Sequence, residues 1–136
     1  MPVDFIDLLK LDELEIGHSK KVLIGSDNFH TWVHGDYPGT LGPMHKHSAI
    51  QQFYCIKGEC TFRFPDGSSR KLMPGVLVKI PAGELYQLDN TGSEYMLLLG
   101  ARAESAGIPR YDGKDNKVEV SDYALNNLDK IKAQKS

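Results

Sequence analysis

His45 and His47, two residues apart, are the most chemically suggestive feature of this chain. In an extended segment side chains two apart leave the backbone on the same face, so both imidazoles would enter one space together. Imidazole binds divalent ions and exchanges protons near neutral pH, so such a pair points to metal binding or to acid–base work. Gln51 follows His47 after three intervening residues and opens the next extended segment, which closes at Gly58. A third imidazole, His34, lies on the preceding segment, on the same face as Trp32.

These residues need a rigid frame, and short runs rich in Val, Ile, Phe, Tyr and Leu, punctuated by Gly, Pro, Asp and Asn, supply one. The pattern predicts strands at Lys21–Ile24, Phe29–Gly35, Ala49–Lys57, Glu59–Phe64, Lys71–Leu72, Leu77–Pro81, Glu84–Asn90 and Tyr95–Ala103. That rhythm belongs to a barrel or sandwich. Phe5, Ile6, Leu9 and Leu14 fall at helical spacing after Asp4, and Leu125, Leu128 and Ile131 do so after Ser121, which predicts a short helix at each end. The expected layout is one domain over 1–136, with a core barrel at about 21–103, a loop at 104–120 and a C-terminal helix at 121–134. Phe53, Phe62 and Phe64 share one face and would line the barrel's interior. A two-residue turn at Lys57-Gly58 would place Cys55 and Cys60 opposite each other on a hairpin, as small reduced core residues.

The segment from Gly39 to Gly58 reads GTLGPMHKHSAIQQFYCIKG and resembles the first cupin motif, G-x5-H-x-H-x3-E-x6-G, with Gln51 where the motif has glutamate. Gly75 to Asn90, GVLVKIPAGELYQLDN, resembles the second, G-x5-P-x-G-x2-H-x3-N, with Tyr86 where the motif has histidine. Together the two cover most of the chain from Phe29 to Ala103. The resemblance implies an all-β, double-stranded β-helix (jelly-roll) barrel, usually a homodimer, holding a divalent metal such as manganese, iron, nickel or zinc. Carried over, the ligands are His45, His47 and Gln51, with Tyr86 as ligand, proton-transfer group or aromatic wall. Two of the four usual ligands are replaced, which predicts weaker metal binding, because a neutral amide and a phenol with a reference pKa of about 10 do not offset a cation's charge. Sugar-nucleotide ketoisomerases of this fold are similar in having a histidine pair, a glutamine and a Cys-x-x-Gly-x-Cys segment, here Cys55 to Cys60. In that class the histidines work without metal.

Three functions are therefore expected of the pocket. One is a metal-assisted lyase, dehydratase or isomerase, with His45, His47 and Gln51 as metal ligands and Tyr86 moving the proton. Another is a metal-free isomerase or dehydratase with His45 or His47 as base. The third is a non-catalytic cupin that binds a small ligand. Phe53, Phe62, His34 and Trp32 are the expected substrate-facing residues. Arg63, Lys71, Lys79 and Arg102 are candidate cations for an anionic substrate, and strand parity does not say which point inward.

Charge and hydropathy narrow the partners. Sixteen Lys and Arg against eighteen Asp and Glu, with no basic run denser than Lys20-Lys21 or Arg70-Lys71, give no field for a phosphate backbone, so nucleic acid is not expected. The first fourteen residues carry Asp4, Asp7, Asp12 and Glu13 where a secretory leader would be basic and then apolar, and the longest apolar run, Tyr95 to Gly100, is far short of the ~20 residues of a membrane span. A cytoplasmic protein acting on a small molecule is the expectation.

Overall fold

The computed structural model describes residues 3–119, so the C-terminal helix expected at 121–134 lies outside the described residues. Ten strands follow in chain order: β1 Ser19–Gly25, β2 His30–Asp36, β3 Gln51–Lys57, β4 Cys60–Arg63, β5 Ser69–Leu72, β6 Leu77–Ile80, β7 Gln87–Asp89, β8 Met96–Arg102, β9 Arg110–Tyr111 and β10 Lys117–Val118. They form a five-stranded sheet in the order β1-β2-β8-β3-β6, a three-stranded sheet β5-β4-β7 and the small ribbon β9-β10. This is the all-β barrel that the sequence predicts, and its first eight strands match the expected ones to within a few residues at each end.

Burial follows from how each strand is covered. Strand β3 alternates, with Gln51, Phe53 and Cys55 buried and Gln52 and Tyr54 exposed, because only one face meets the core. Strands β2 and β8 are largely buried on both faces. Their inward residues Trp32, Met96 and Leu98 join Phe53, Phe62, Leu72, Ile80, Tyr86 and Leu88 between the sheets. Their outward residues Val33 and Leu97 meet Ile16, Tyr37 and Tyr95, with Leu8 and Leu11 packed against that second cluster. No helix among the described residues is long and apolar enough to cross a membrane.

Three expectations are corrected. The N-terminal segment does not form one amphipathic helix: it makes a 3-10 turn at Leu8–Lys10 and α1 at Glu13–Ile16, with Asp7 and Asp12 accepting from the backbone N–H groups of Leu9 and Leu14. Those two aspartates act as N-caps and restart the helix, so Phe5, Leu9 and Leu14 stay exposed while Leu8, Leu11 and Ile16 pack. The segment β3–β4 is not a hairpin within one sheet either, since Gly58 carries the chain from the large sheet to the small one. Gly58 has φ +76°, and a Cβ there would lie 2.6 Å from the Tyr95 carbonyl oxygen and 2.7 Å from Met96 Cα. Cys55 and Cys60 are buried free thiols in the core, on strands that do not pair.

The third correction concerns the expected loop at 104–120, which contains the ribbon β9-β10. Asp112 closes its turn by accepting from the N–H groups of Lys114 and Asn116 at 2.8 and 2.9 Å. The ribbon lies along the histidine segment, because Lys46 and Tyr111 exchange backbone hydrogen bonds at 2.8 and 3.1 Å.

Candidate functional site

The histidine segment is held from both sides. His45 and Tyr86 exchange backbone hydrogen bonds at 2.9 Å each, while Lys46 pairs with Tyr111. The backbone between these bridges is extended, so His45 and His47 share the inward face as predicted, with ring centroids 5.0 Å apart. Tyr86 reaches the same space, its hydroxyl 3.1 Å from Nε2 of His45. Phe53 and Phe62 form its apolar wall, the Phe62 ring stacked on Tyr86 at 5.9 Å and Phe53 edge-on at 6.2 Å. Trp32 lies edge-on to Phe53 at 5.6 Å. All of these residues are buried, Tyr86 to within 1% of full enclosure.

His34 is the expected site residue that the structure pairs elsewhere. Its Nε2 contacts Asp36 at 2.7 Å, and Asp36 also meets His18. Two imidazoles beside this buried carboxyl hold its pKa below the usual range, against the opposing effect of burial.

The residue that sequence reasoning left undecided is Arg102. It ends β8, directly across from Gln51 on β3 and from His30 on β2, and its side chain turns into the barrel. Its Nε donates to Gln51 Oε1 at 2.9 Å and its Nη2 to His47 Nε2 at 3.2 Å. The guanidinium also lies over the Trp32 ring at 4.7 Å and 3.6 Å from Glu104. Of the four cations considered, Arg63 instead pairs with Asp89 and Lys71 with Glu59, and Lys79 is exposed. The deciding signal was the pairing of β3 with β8, which the one-dimensional pattern does not contain.

These contacts fix the protons. The Pro43 carbonyl, 2.8 Å from Nδ1 of His45, can only accept, so Nδ1 carries the proton and Nε2 accepts from the Tyr86 hydroxyl. Burial, with Arg110 as the next cause, lowers the His45 pKa to about 4. Burial and then Arg102 lower that of His47 to about 2. Both rings are therefore neutral at neutral pH, and because Nε2 of His47 accepts from Arg102, its proton sits on Nδ1. That nitrogen and Nε2 of Gln51 are buried without a hydrogen-bond partner among the described residues. Burial raises the Tyr86 phenol to about 12, although Gln51 and Arg102 beside it pull the other way.

With this geometry in hand, comparison with known proteins is direct. Residues 33–100 match the family model described as the cupin domain. The chain belongs to the cupin family. Its fold is also that of the protein TT1209 from Thermus thermophilus, with a TM-score of 0.66, 24% identity, and coverage of 75% of this chain and 98% of that one. The DMSP lyase DddQ of Ruegeria pomeroyi is similar at a TM-score of 0.63 and 21% identity, covering 79% of this chain and 57% of that one. A double-stranded β-helix protein from Klebsiella pneumoniae gives 0.60 and 19%, covering 65% of this chain and 78% of that one. At such identities the likeness is one of fold. No curated protein sequence matches the chain significantly.

Cupins often bind a metal, but the donor atoms here do not fit a divalent ion. The lone pair of His47 Nε2 accepts from Arg102, a permanent cation, whereas that of His45 Nε2 accepts from the Tyr86 hydroxyl, whose proton can rotate away, so His45 alone has a nitrogen lone pair to offer. Gln51 Oε1 already accepts from the same guanidinium. A cation coordinated at about 2.1 Å from His47 would stand against a permanent positive charge, with no carboxylate among the three predicted ligands to offset it.

Proposed function

We propose that this cupin is a metal-independent acid–base catalyst for a small anionic substrate, an isomerase or dehydratase in which Arg102 takes the role a metal ion would otherwise play. The observation that carries this reading is the placement of Arg102 between His47 and Gln51. A fixed guanidinium supplies what a Lewis acid would, a positive charge beside a carbonyl or carboxylate oxygen, and it is already oriented before substrate arrives.

The environments of His45 and Tyr86 drive their pKa values apart, to about 4 and about 12. An acid and a base thus stand 3.1 Å from each other without neutralising one another. Neutral His45 Nε2 takes a proton from carbon next to a carbonyl. The electron pair moves onto the carbonyl oxygen, where Arg102 stabilises the charge. In a dehydration the Tyr86 hydroxyl then delivers its proton to a hydroxyl leaving the neighbouring carbon as water. In an isomerisation of a substrate with a hydroxyl on the deprotonated carbon it protonates the former carbonyl carbon, while that hydroxyl's proton passes to the former carbonyl oxygen and a new carbonyl forms. The product leaves an imidazolium beside a phenolate, and proton transfer from His45 to Tyr86 along their hydrogen bond restores the starting states. Negative charge brought by the substrate raises the basicity of His45, because nearby cations are part of what depresses it.

The second reading, a non-catalytic binding protein, is favoured by the enclosure of the centre, since Tyr86, Gln51 and Arg102 are all nearly inaccessible. Elemental analysis of untagged protein, paired with a screen for exchange of substrate carbon-bound hydrogen with deuterated water, tests the proposal. Deuterium exchange that survives chelator and is lost in Tyr86→Phe is the expected result. A stoichiometric metal that disappears in the His45→Ala/His47→Ala double variant would overturn it, and binding without exchange would favour the second reading.

A further inference from the structure

The pocket carries more positive charge than one carboxylate needs. Arg110 begins β9, and in the antiparallel pairing of Lys46 with Tyr111 it stands opposite His47. Cross-strand neighbours share a face, so Arg110 enters on the side that His47 occupies. Its Nε and Nη2 donate to the carbonyls of Val118 and Glu119 at 3.2 and 2.9 Å, which holds the guanidinium at the ribbon. The charge of Arg110 acts on Tyr86, His45, His47 and Lys20 alike. Lys20 approaches from β1, its amine 3.0 Å from His30 Nε2 and 4.2 Å from the Trp32 ring centre. Trp32 thus lies beside both Lys20 and Arg102.

Against Lys20, Arg102 and Arg110 stands, among the described residues, one carboxylate inside the cluster, Glu104, whose Oε2 accepts from Ser48 at 2.7 Å and whose Oε1 lies 3.6 Å from Arg102. Glu119 also acts on Arg110, but its side chain is exposed and pairs with Lys117 at 3.4 Å. Arg102 and Arg110 thus face one half-buried carboxylate at a centre lined by aromatic rings, and Lys20, at the exposed edge with its pKa lowered by burial to about 8, adds a third positive charge at neutral pH, an excess of two. Within that centre, His47 Nδ1 and Gln51 Nε2 are buried donors without a hydrogen-bond partner among the described residues. An uncompensated double charge, an unused donor at His47 Nδ1 and a second at Gln51 Nε2 that only the Tyr86 phenol approaches describe the complement of a ligand with two negative charges and several acceptor oxygens.

We propose that the substrate is a small dianion, a dicarboxylate or a phosphomonoester, with one acidic group at Arg102 and the second at Arg110. This rests on the reading of Arg102 as the anion-binding group and adds Arg110 as the residue that selects charge. Calorimetric titration of the full chain with acetate, malonate and inorganic phosphate near neutral pH, where Lys20 still holds its charge, tests it.

The expected result is that malonate or phosphate binds at least about tenfold tighter than acetate, and whichever of the two does so identifies the second group as carboxylate or phosphate. Arg110→Gln should abolish that preference by weakening malonate or phosphate binding at least about tenfold more than it weakens acetate binding. Because Arg110 also anchors the ribbon, Arg110→Lys serves as the control, retaining the preference through its charge even where the backbone contacts are lost. Equal binding of all three anions, or an unchanged preference in Arg110→Gln, would overturn the dianion proposal. If acetate binding still depended on Arg102 in that case, the underlying reading would stand. Absence of binding by every probe, or binding indifferent to Arg102→Gln, would overturn both.

Discussion

Arg102 Nη2 donates to Nε2 of His47 across 3.2 Å, which ties a permanent cation to the lone pair that a metal would need. In the proposed metal-independent reading, that hydrogen bond is what sets this site apart from a metal-holding pocket built on the same histidine pair. Its consequence is measurable. Arg102→Ala frees the acceptors on His47 and Gln51 and removes the like charge, so the variant should bind zinc or nickel at least about tenfold tighter than the parent, equivalent to about 1.4 kcal/mol. Equilibrium dialysis followed by elemental analysis decides it, and equal affinities would show that Arg102 does not hold the place of the ion.

Tyr86→Phe removes one oxygen from a packed ring, so the Phe62 stack is kept while the hydrogen bond to His45 is lost. Exchange or turnover should fall by about a hundredfold or more, in line with the loss of a general acid. Stability should change by no more than about 1 kcal/mol, since the acceptor left behind is one imidazole nitrogen. In nitrogen-resolved NMR of the parent, the proton of His45 should reside on Nδ1. A His45 proton on Nε2 would refute the assignment of Tyr86 as the donor.

Acid should unfold the protein through its buried histidines. The folded-state pKa values of His45 and His47, about 4 and about 2, lie below the ordinary imidazole value of 6.5. The unfolded chain therefore binds more protons below that value, and the stability contributed by keeping the rings neutral is fully present above it. That contribution shrinks as pH falls from about 6.5 toward 4, by up to about 2.7 kcal/mol per pH unit for two protons. Urea denaturation across this window should show the slope, and His45→Gln/His47→Gln should flatten it. A slope unchanged in the double variant would place the acid sensitivity elsewhere.

Gly58 and Gly83 both have positive φ, at +76° and +81°, but only Gly58 is crowded, since a Cβ at Gly83 would meet nothing within 4 Å. Gly83→Ala should cost about 1–2 kcal/mol from backbone strain alone. Gly58→Ala adds overlap with the backbone of Tyr95 and Met96, which cannot rotate away, and should cost several kcal/mol or prevent folding. Thermal melts of the two variants give the comparison, and equal losses would mean that β8 yields to accommodate the methyl group.

The amino-acid sequence determined the strands and the shared face of His45 and His47, because period-two alternation and turn residues are local properties written in consecutive positions, whereas the place of Tyr86 beside them was legible only through the resemblance of Gly75 to Asn90 to the second cupin motif. The sequence was equally sufficient for the aromatic wall of Phe53 and Phe62. Local pattern was less reliable where short-range capping competed with hydrophobic spacing, as at Asp7 and Asp12, and where one glycine moved the chain between sheets rather than around a hairpin. Arg102 was legible only as one of several cations. Its distance from Gln51 along the chain is large, and their meeting depends on β8 pairing with β3, a non-local event that strand propensity does not encode. The same holds for Arg110, brought opposite His47 by a two-stranded ribbon within an expected loop. Which charges converge on the histidine pair was decided by tertiary structure, since electrostatic interaction depends on separation in space and on burial rather than on order along the chain.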